Sequence, residues 1–108
     1  SAGWVTTEDL YYSEKGALIS HSPTTYKIPS IQDLPREFNI DFIENETNVL
    51  NVRKSKAVGE PPFLLGLSVW NAVKNALSYV KKDHTEVSLP LPATAEVILT
   101  KIDQLENS

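Results

Sequence analysis

The feature that most restricts the fold of this chain is a long apolar segment over residues 62–82, which directly follows a glutamate and a proline. Polar side chains recur in this segment at steps of three and four residues, the spacing of one face of an α-helix. The apolar face that remains is too broad for a helix resting on a single surface. We therefore predict a long buried helix over residues 62–82, covered on more than one side.

Gly66 lies inside this predicted helix, where a glycine costs up to about 1 kcal/mol relative to alanine. Its presence indicates that another backbone approaches the helix closely at this position. The other apolar segments of the chain are few. If they do not cover the helix, part of its cover comes from residues outside this chain.

The acid before the helix, Glu60, stands between Gly59 and the pair Pro61 and Pro62. Because proline disfavours helical backbone at the preceding residue, we expect Glu60 to be extended and the helix to begin at Pro62. An acid held in a stiff turn suits a functional site. It also suits a buried helix cap, and the residues alone leave both interpretations open.

Short antiparallel strands are predicted around two turns. Residues 10–12 and 17–19 flank a tight turn in which Gly16 is expected at positive φ. Further on, apolar and polar side chains alternate over residues 38–42, and residues 49–52 can return antiparallel beside them. Together with the long helix, these strands predict an α+β fold class.

Two further helical segments are predicted from their capping residues. Thr6, followed by Asp9 three residues later, predicts a short helical turn that reaches about Leu10. Thr94 predicts the cap of a C-terminal helix over residues 94–106, whose single apolar face serves for docking.

Composition limits the chain to one domain at most and excludes several functions. Its 108 residues carry a formal net charge of −4, which argues against nucleic acid or an anionic membrane as a partner. The basic residues 53–56 are interpreted as a solvated strand end. The chain has no cysteine, so it holds no disulfide, thiolate metal site or iron–sulfur cluster. Because the sequence shows no signal peptide and no membrane-spanning segment, we expect a cytoplasmic protein.

Few residue patterns in the chain support chemistry. His21 and His84 lie far apart, and neither stands near a second metal ligand or a nucleophile, so both are expected to be surface or packing residues. The four glycines lack the spacing of a phosphate-binding or dinucleotide-binding loop. By elimination, Glu60 is the one acid in an unusual setting.

Residues 55–62, SKAVGEPP, resemble the signature of the xanthine dehydrogenase and aldehyde oxidase family of molybdenum hydroxylases. Residues 3–10 (GWVTTEDL) and 25–29 (TYKIP) are similar to segments that precede this signature in xanthine dehydrogenases, in the same order. Residues 63–66 (FLLG) and the helix that follows residues 92–94 (PAT) resemble the molybdenum-binding subunit of bacterial members. This resemblance identifies residues 1–108 as a C-terminal fragment of a molybdopterin-binding domain.

The resemblance implies a catalytic role for Glu60. In the family, the matching glutamate stands beside the molybdenum of a pterin cofactor. It acts as the general base for the oxygen that attacks an electrophilic carbon of the heterocycle. Ala57, Val58 and Gly59 are implied to line the same wall of the cofactor site. No side chain of this chain is expected to ligate the metal, since the sulfurs of the pterin hold it in this family.

The resemblance also implies what lies outside this chain. The remainder of the molybdenum domain and the iron–sulfur and FAD domains or subunits are expected partners, with a purine such as hypoxanthine or xanthine as the heterocyclic substrate. The fragment alone is expected to be inactive, to bind no cofactor and to self-associate through its uncovered helix face as a possible homo-oligomer. Two other classes of function stay open: a non-catalytic structural or interaction module, and a small independent enzyme that uses Glu60 without molybdenum.

Overall fold

The computed structural model describes residues 1–80 and 86–107, and these residues form three α-helices joined by long loops. The helices are α1 (Ala2–Val5), α2 (Glu60–Ser78) and α3 (Ala95–Glu106). Two single-turn 3₁₀ helices occupy Ile31–Asp33 and Val52–Lys54. None of the helices found in the described residues is long and apolar enough to cross a membrane.

Helix α2 occupies most of the predicted helical segment but begins before it. It starts at Glu60, with Gly59 as an N-cap residue that itself has helical backbone at φ −72° and ψ −53°. The expectation of an extended Glu60 and a helix start at Pro62 is therefore wrong. The first turn of a helix makes no use of its own N–H groups, so Pro61 and Pro62 fit within it. The effect of proline on the preceding residue is a bias that the helix overrides here.

The C-terminal end of α2 falls at Ser78. The N–H of Tyr79 bonds to the carbonyl oxygens of Ala76 and Leu77 and closes the last turn. Residues 81–82 of the predicted helix, and with them His84, lie outside the described residues.

Helix α2 is exposed over much of its length in the described residues, so this chain by itself does not provide the predicted burial. Gly66 and Leu77 are its buried residues, whereas Leu64 and Leu65 are 65% and 68% exposed. The reason is a shortage of apolar partners, because α1, which packs against α2, has only four residues. Cover on more than one side requires residues outside this chain and stays a prediction.

The contact between α1 and α2 explains the glycine inside α2. A Cβ on Gly66 would lie 2.6 Å from the Cβ of Ser1 and 3.1 Å from its carbonyl oxygen. The predicted close approach of another backbone at Gly66 is therefore confirmed. Beside this contact, the rings of Trp4 and Phe63 stack with their centroids 4.3 Å apart.

The helical turn expected after Thr6 lies before it, in α1. Thr6 donates its hydroxyl to the carbonyl oxygen of Ala2 at 2.7 Å and so closes the C-terminal end of α1. A threonine hydroxyl bonds to a carbonyl four residues earlier as well as to N–H groups ahead of it. The sequence pattern does not distinguish these two uses, which is why the position of the turn was predicted wrongly.

The turn at Gly16 forms as expected. Gly16 has a φ of 77°, which confirms the predicted positive value. The N–H of Ser13 bonds to the carbonyl of Ala17 at 2.8 Å, and Tyr12 and Leu18 form an isolated antiparallel bridge.

The second predicted strand pair does not form in the described residues. Residues 38–42 carry no regular structure, and residues 49–52 lead into a 3₁₀ helix. Phe42 and Leu50 are 91% and 94% exposed. An alternating segment becomes a strand only where a neighbouring strand pairs with its backbone and a core covers its apolar face. The α+β class therefore stays a prediction for the domain to which these residues belong.

The main buried cluster lies between the second half of α2 and α3. Its buried side chains are Leu77, Val87, Leu89 and Ala93, and apolar residues of α2 and α3 pack against them. Thr94 caps α3 as predicted, since its hydroxyl accepts a hydrogen bond from the N–H of Val97 at 3.3 Å.

Candidate functional site

Glu60 is the first residue of α2, and its side chain is exposed to solvent. No hydrogen bond or ion pair joins its carboxylate to another group in the described part of the chain. The N–H groups of the first helical turn and the positive end of the helix dipole favour a negative charge at this position. In the described residues the carboxylate is exposed and Gly59 is the N-cap, so Glu60 does not serve there as a buried helix cap. Its catalytic role stays a prediction.

The three residues predicted beside Glu60 are exposed as well. They are Ala57, Val58 and Gly59. A Cβ placed on Gly59 would meet no atom within 4 Å, so open space adjoins the backbone at this point. Residues 57–60 therefore form an exposed surface, with open space beside the backbone of Gly59.

Three asparagines that the sequence interpretation missed hold the chain that leads into this surface. Asn48 and Asn51 donate side-chain N–H groups to the carbonyl oxygen of Ser55 at 3.0 and 2.9 Å. Asn45 donates in the same way to the carbonyl oxygen of Lys54. Lys54 adopts a φ of 56°, a conformation that few residues other than glycine take. The sequence feature that could have pointed to these residues is the spacing of Asn45, Asn48 and Asn51 at every third position.

The groups around Glu60 do not form a metal site. Among residues 1–80 and 86–107, no cluster of three or more histidine, cysteine, aspartate or glutamate side chains is placed to hold a metal ion. A molybdenum–pterin cofactor would find here a carboxylate without a partner in the described residues and open space beside the backbone of Gly59. These residues fit one side of a cofactor site.

A separate cleft of about 440 Å³ lies in the N-terminal part of the chain and is lined by Leu10, His21, Tyr26 and their neighbours. None of residues 57–60 contributes to it. His21 is exposed, as predicted for a surface histidine. Tyr26 donates its hydroxyl to the carboxylate of Glu8. This hydrogen bond, together with some desolvation and the negative charge of Glu8, raises the pKa of Tyr26 above its ordinary value.

The first comparison with known proteins is with a family model. Residues 1–35 match the family model of the molybdopterin cofactor-binding domain. This match ends before the surface at residues 57–60, which only longer alignments reach.

Individual relatives provide these alignments. Xanthine dehydrogenase of Drosophila subobscura is 42% identical over 82 residues, which cover 76% of this chain and 6% of that protein. Xanthine dehydrogenase 1 of Arabidopsis thaliana is 41% identical over 109 residues, which cover 89% of this chain and 8% of that protein. Aldehyde oxidase 2 of Macaca fascicularis is 39% identical over 97 residues, which cover 87% of this chain and 7% of that protein. The chain is thus related in sequence to the xanthine dehydrogenase and aldehyde oxidase family.

The alignments also define the limits of this relationship. A stretch covering 89% of 108 residues includes residues 57–60 wherever it begins, so the similarity extends to the candidate site. The chain spans 6 to 8% of the length of these relatives. The relatives come from an insect, a plant and a primate, so they support the family without supporting the bacterial origin that the sequence interpretation included.

Proposed function

We propose that this chain is part of a molybdopterin-binding domain in a molybdenum hydroxylase and that Glu60 is the catalytic base of the complete enzyme. The observation that supports this most strongly is the free carboxylate at the start of α2, in a segment that aligns with xanthine dehydrogenases. A general base must have a lone pair available where the proton is released. Glu60 meets this requirement, because no group in the described residues occupies its oxygens.

Of the residues in this chain, the proposed step uses only the carboxylate of Glu60. Glu60 accepts the proton of the oxygen nucleophile as that oxygen attacks an electrophilic carbon of the substrate. Glu60 lies in the first turn of α2, at the positive end of the helix dipole. When bound, a molybdenum–pterin cofactor supplies the oxidising centre that takes up two electrons from the substrate.

Ala57, Val58 and Gly59 form the adjoining surface on the same side of the site. The absence of a side chain at Gly59 leaves space for a planar ring or a cofactor edge, because a Cβ there would project into the open volume. None of these three residues has a group that ligates a metal. Retention of the cofactor therefore falls to the remainder of the molybdenum domain, with iron–sulfur and FAD groups on other domains or subunits.

The proposed substrate is a purine, hypoxanthine or xanthine. A second candidate is an aldehyde, because the Macaca fascicularis aldehyde oxidase 2 and the two xanthine dehydrogenases have nearly equal identity to this chain. The residues that would orient a purine are not among those identified in this chain. Parallel assays with xanthine and benzaldehyde separate the two candidates.

The exposed apolar surface supports the proposal that this chain works within a larger assembly. Phe42, Ile43 and Leu50 are each more than 90% exposed. Patches of this kind mark contact surfaces in folded proteins. We propose that the remainder of the domain covers them in a cytoplasmic enzyme. If another copy of the chain covers them, a homo-oligomer results.

A non-catalytic interaction module is the alternative to this assignment. Both proposals account for the uncovered apolar surface, but only the catalytic one requires a carboxylate at position 60. Replacement of Glu60 by glutamine in the complete, cofactor-loaded protein therefore tests the assignment, with turnover as the readout.

A further inference from the structure

We propose that Trp4 is a positioning residue for Glu60, acting through Phe63; this inference rests on the catalytic role proposed for Glu60. The rings of Trp4 and Phe63 stack with centroids 4.3 Å apart and planes at 29°. Phe63 follows Glu60 by three residues, so the two side chains occupy neighbouring positions on one face of α2. A constraint on Phe63 is thus a constraint on the helical turn that carries the carboxylate.

The first turn of α2 needs such support. All residues from 60 to 65 are exposed, and the first buried residue of the helix is Gly66. Pro61 and Pro62 contribute no N–H groups, and the N–H groups of a first turn have no acceptor within the helix. Helix ends held in this way open locally at low free energy. Within the described residues, the Trp4 ring is the aromatic surface against which this turn rests.

Trp4 is itself held on both sides. The next residue, Val5, is fully buried, and its carbonyl oxygen accepts the N–H of Ala93 at 2.8 Å. At the other end of α1, the backbone of Ser1 lies against Gly66, one turn beyond Phe63. The stack therefore joins the turn of Glu60 to an anchored segment rather than to a free loop.

Position matters because a general base must lie within hydrogen-bond reach of the proton that it removes. A misplacement of about 1 Å lowers the rate of such a step by up to about 10²-fold. Removal of the Trp4 ring leaves the carboxylate chemically intact and releases the turn that aims it. The expected result is a loss of kcat without a matching change in KM.

The test combines Trp4 and Glu60 substitutions in the complete, cofactor-loaded protein, with xanthine and benzaldehyde as probes. We expect Trp4→Ala to lower kcat about 10-fold with KM changed less than about 3-fold, and Trp4→Phe, which keeps an aromatic ring, to stay within about 2-fold of wild type. In the Glu60→Gln background, Trp4→Ala should lower the rate no further, because there is no base left to position. Tyr12→Ala, which removes an exposed aromatic ring outside α1 and α2, is the matched control and should leave kcat unchanged.

A second readout does not depend on activity. Amide hydrogen exchange of the same proteins should be faster at residues 64–66 in Trp4→Ala and unchanged at residues 71–78. If Trp4→Ala does not fold, Phe63→Leu removes the stack from the other side while keeping a good helix former, and the same results are expected.

The outcomes separate the two proposals. Wild-type turnover in Glu60→Gln overturns the catalytic role of Glu60 and the inference with it. If Glu60→Gln is slow, the inference alone is overturned by either of two results: an equal rate loss from Trp4→Ala in both backgrounds, or no loss and no change in exchange in Trp4→Ala.

Discussion

The backbone of Ser1 lies so close to Gly66 that a Cβ on Gly66 would be 3.1 Å from the Ser1 carbonyl oxygen. Because of this contact, we expect Gly66→Ala to destabilise the protein, although helix propensity alone would predict stabilisation. Gly66→Ala gains up to about 1 kcal/mol from helix propensity. It also forces α1 and α2 apart, and overpacking of this kind costs about 1–3 kcal/mol. We expect a net loss of stability, measured as a lower midpoint of thermal unfolding in the complete protein.

Gly59→Ala is the matched control for this prediction. A Cβ at Gly59 meets no atom within 4 Å, and the backbone there is already helical. With the cofactor removed from all the proteins compared, so that the space beside Gly59 is empty, the control should leave the unfolding midpoint unchanged or slightly raised. An unchanged or higher midpoint for Gly66→Ala would show that the contact with Ser1 is absent in the folded protein.

Trp70→Phe should weaken the attachment of α2 to the segment before α3. The indole Nε1 of Trp70 donates a hydrogen bond to the carbonyl oxygen of Pro90 at 3.0 Å, and phenylalanine has no such donor. A hydrogen bond of this kind contributes about 0.5–1.5 kcal/mol, and the lower part of that range applies because water reaches the site. Thermal unfolding of the complete protein measures the change.

A neighbouring ion pair provides the comparison. Nζ of Lys74 lies 3.8 Å from a carboxylate oxygen of Glu86, whose side chain is 91% exposed. Exposed pairs of this kind contribute little. Glu86→Gln should therefore change the midpoint less than Trp70→Phe, and the reverse order would contradict the role assigned to the indole hydrogen bond.

The hydrogen bond from Tyr26 to Glu8 should be visible in an alkaline titration. It raises the pKa of Tyr26 above the ordinary value of 10.0, because the neutral phenol donates to the carboxylate. The stability that this bond contributes is therefore complete below pH 10 and is lost as the pH rises through the raised pKa. The difference in tyrosinate absorbance between wild type and Tyr26→Phe isolates the titration of this one residue.

Glu8→Gln is the control for this titration. It removes the negative charge and weakens the acceptor, so the pKa of Tyr26 should fall back toward 10.0. A Tyr26 that already titrates at or below 10.0 in the wild type would contradict the hydrogen bond.

Local features of this fold were predictable from sequence where one residue type has one physical use. Gly16 supplies a positive φ that a side chain resists, and Gly66 supplies room for a neighbouring backbone, and both predictions are confirmed. The apolar period over residues 62–82 and the cap at Thr94 likewise located two helices to within a few residues.

Features that depend on a partner were not predictable in this way. The alternation over residues 38–42 describes a face that needs another surface, and none of the described residues covers it. Thr6 can bond to a carbonyl four residues earlier or to N–H groups ahead of it, and the sequence pattern does not distinguish the two. The asparagines recur at every third position, but this spacing does not predict that Asn48 and Asn51 bond to the carbonyl oxygen of Ser55.

The same distinction applies to the candidate site. The pattern around Glu60 identified the carboxylate but not the helical backbone beneath it, because the proline bias was read as a helix boundary. Trp4, which lies more than fifty residues earlier in the chain, carries no sequence signal of its contact with Phe63. Residue identity thus predicts a candidate group, and only the fold shows what positions it.

The most direct test of the catalytic role is the turnover of the complete protein with Glu60→Gln. Glutamine keeps the shape of the side chain and removes its capacity to accept a proton at neutral pH. We predict a turnover of xanthine, or of benzaldehyde if that is the substrate, at least about 10²-fold below wild type, with unchanged molybdenum content. Turnover within about 2-fold of wild type at equal molybdenum content would contradict the role of Glu60 as the catalytic base.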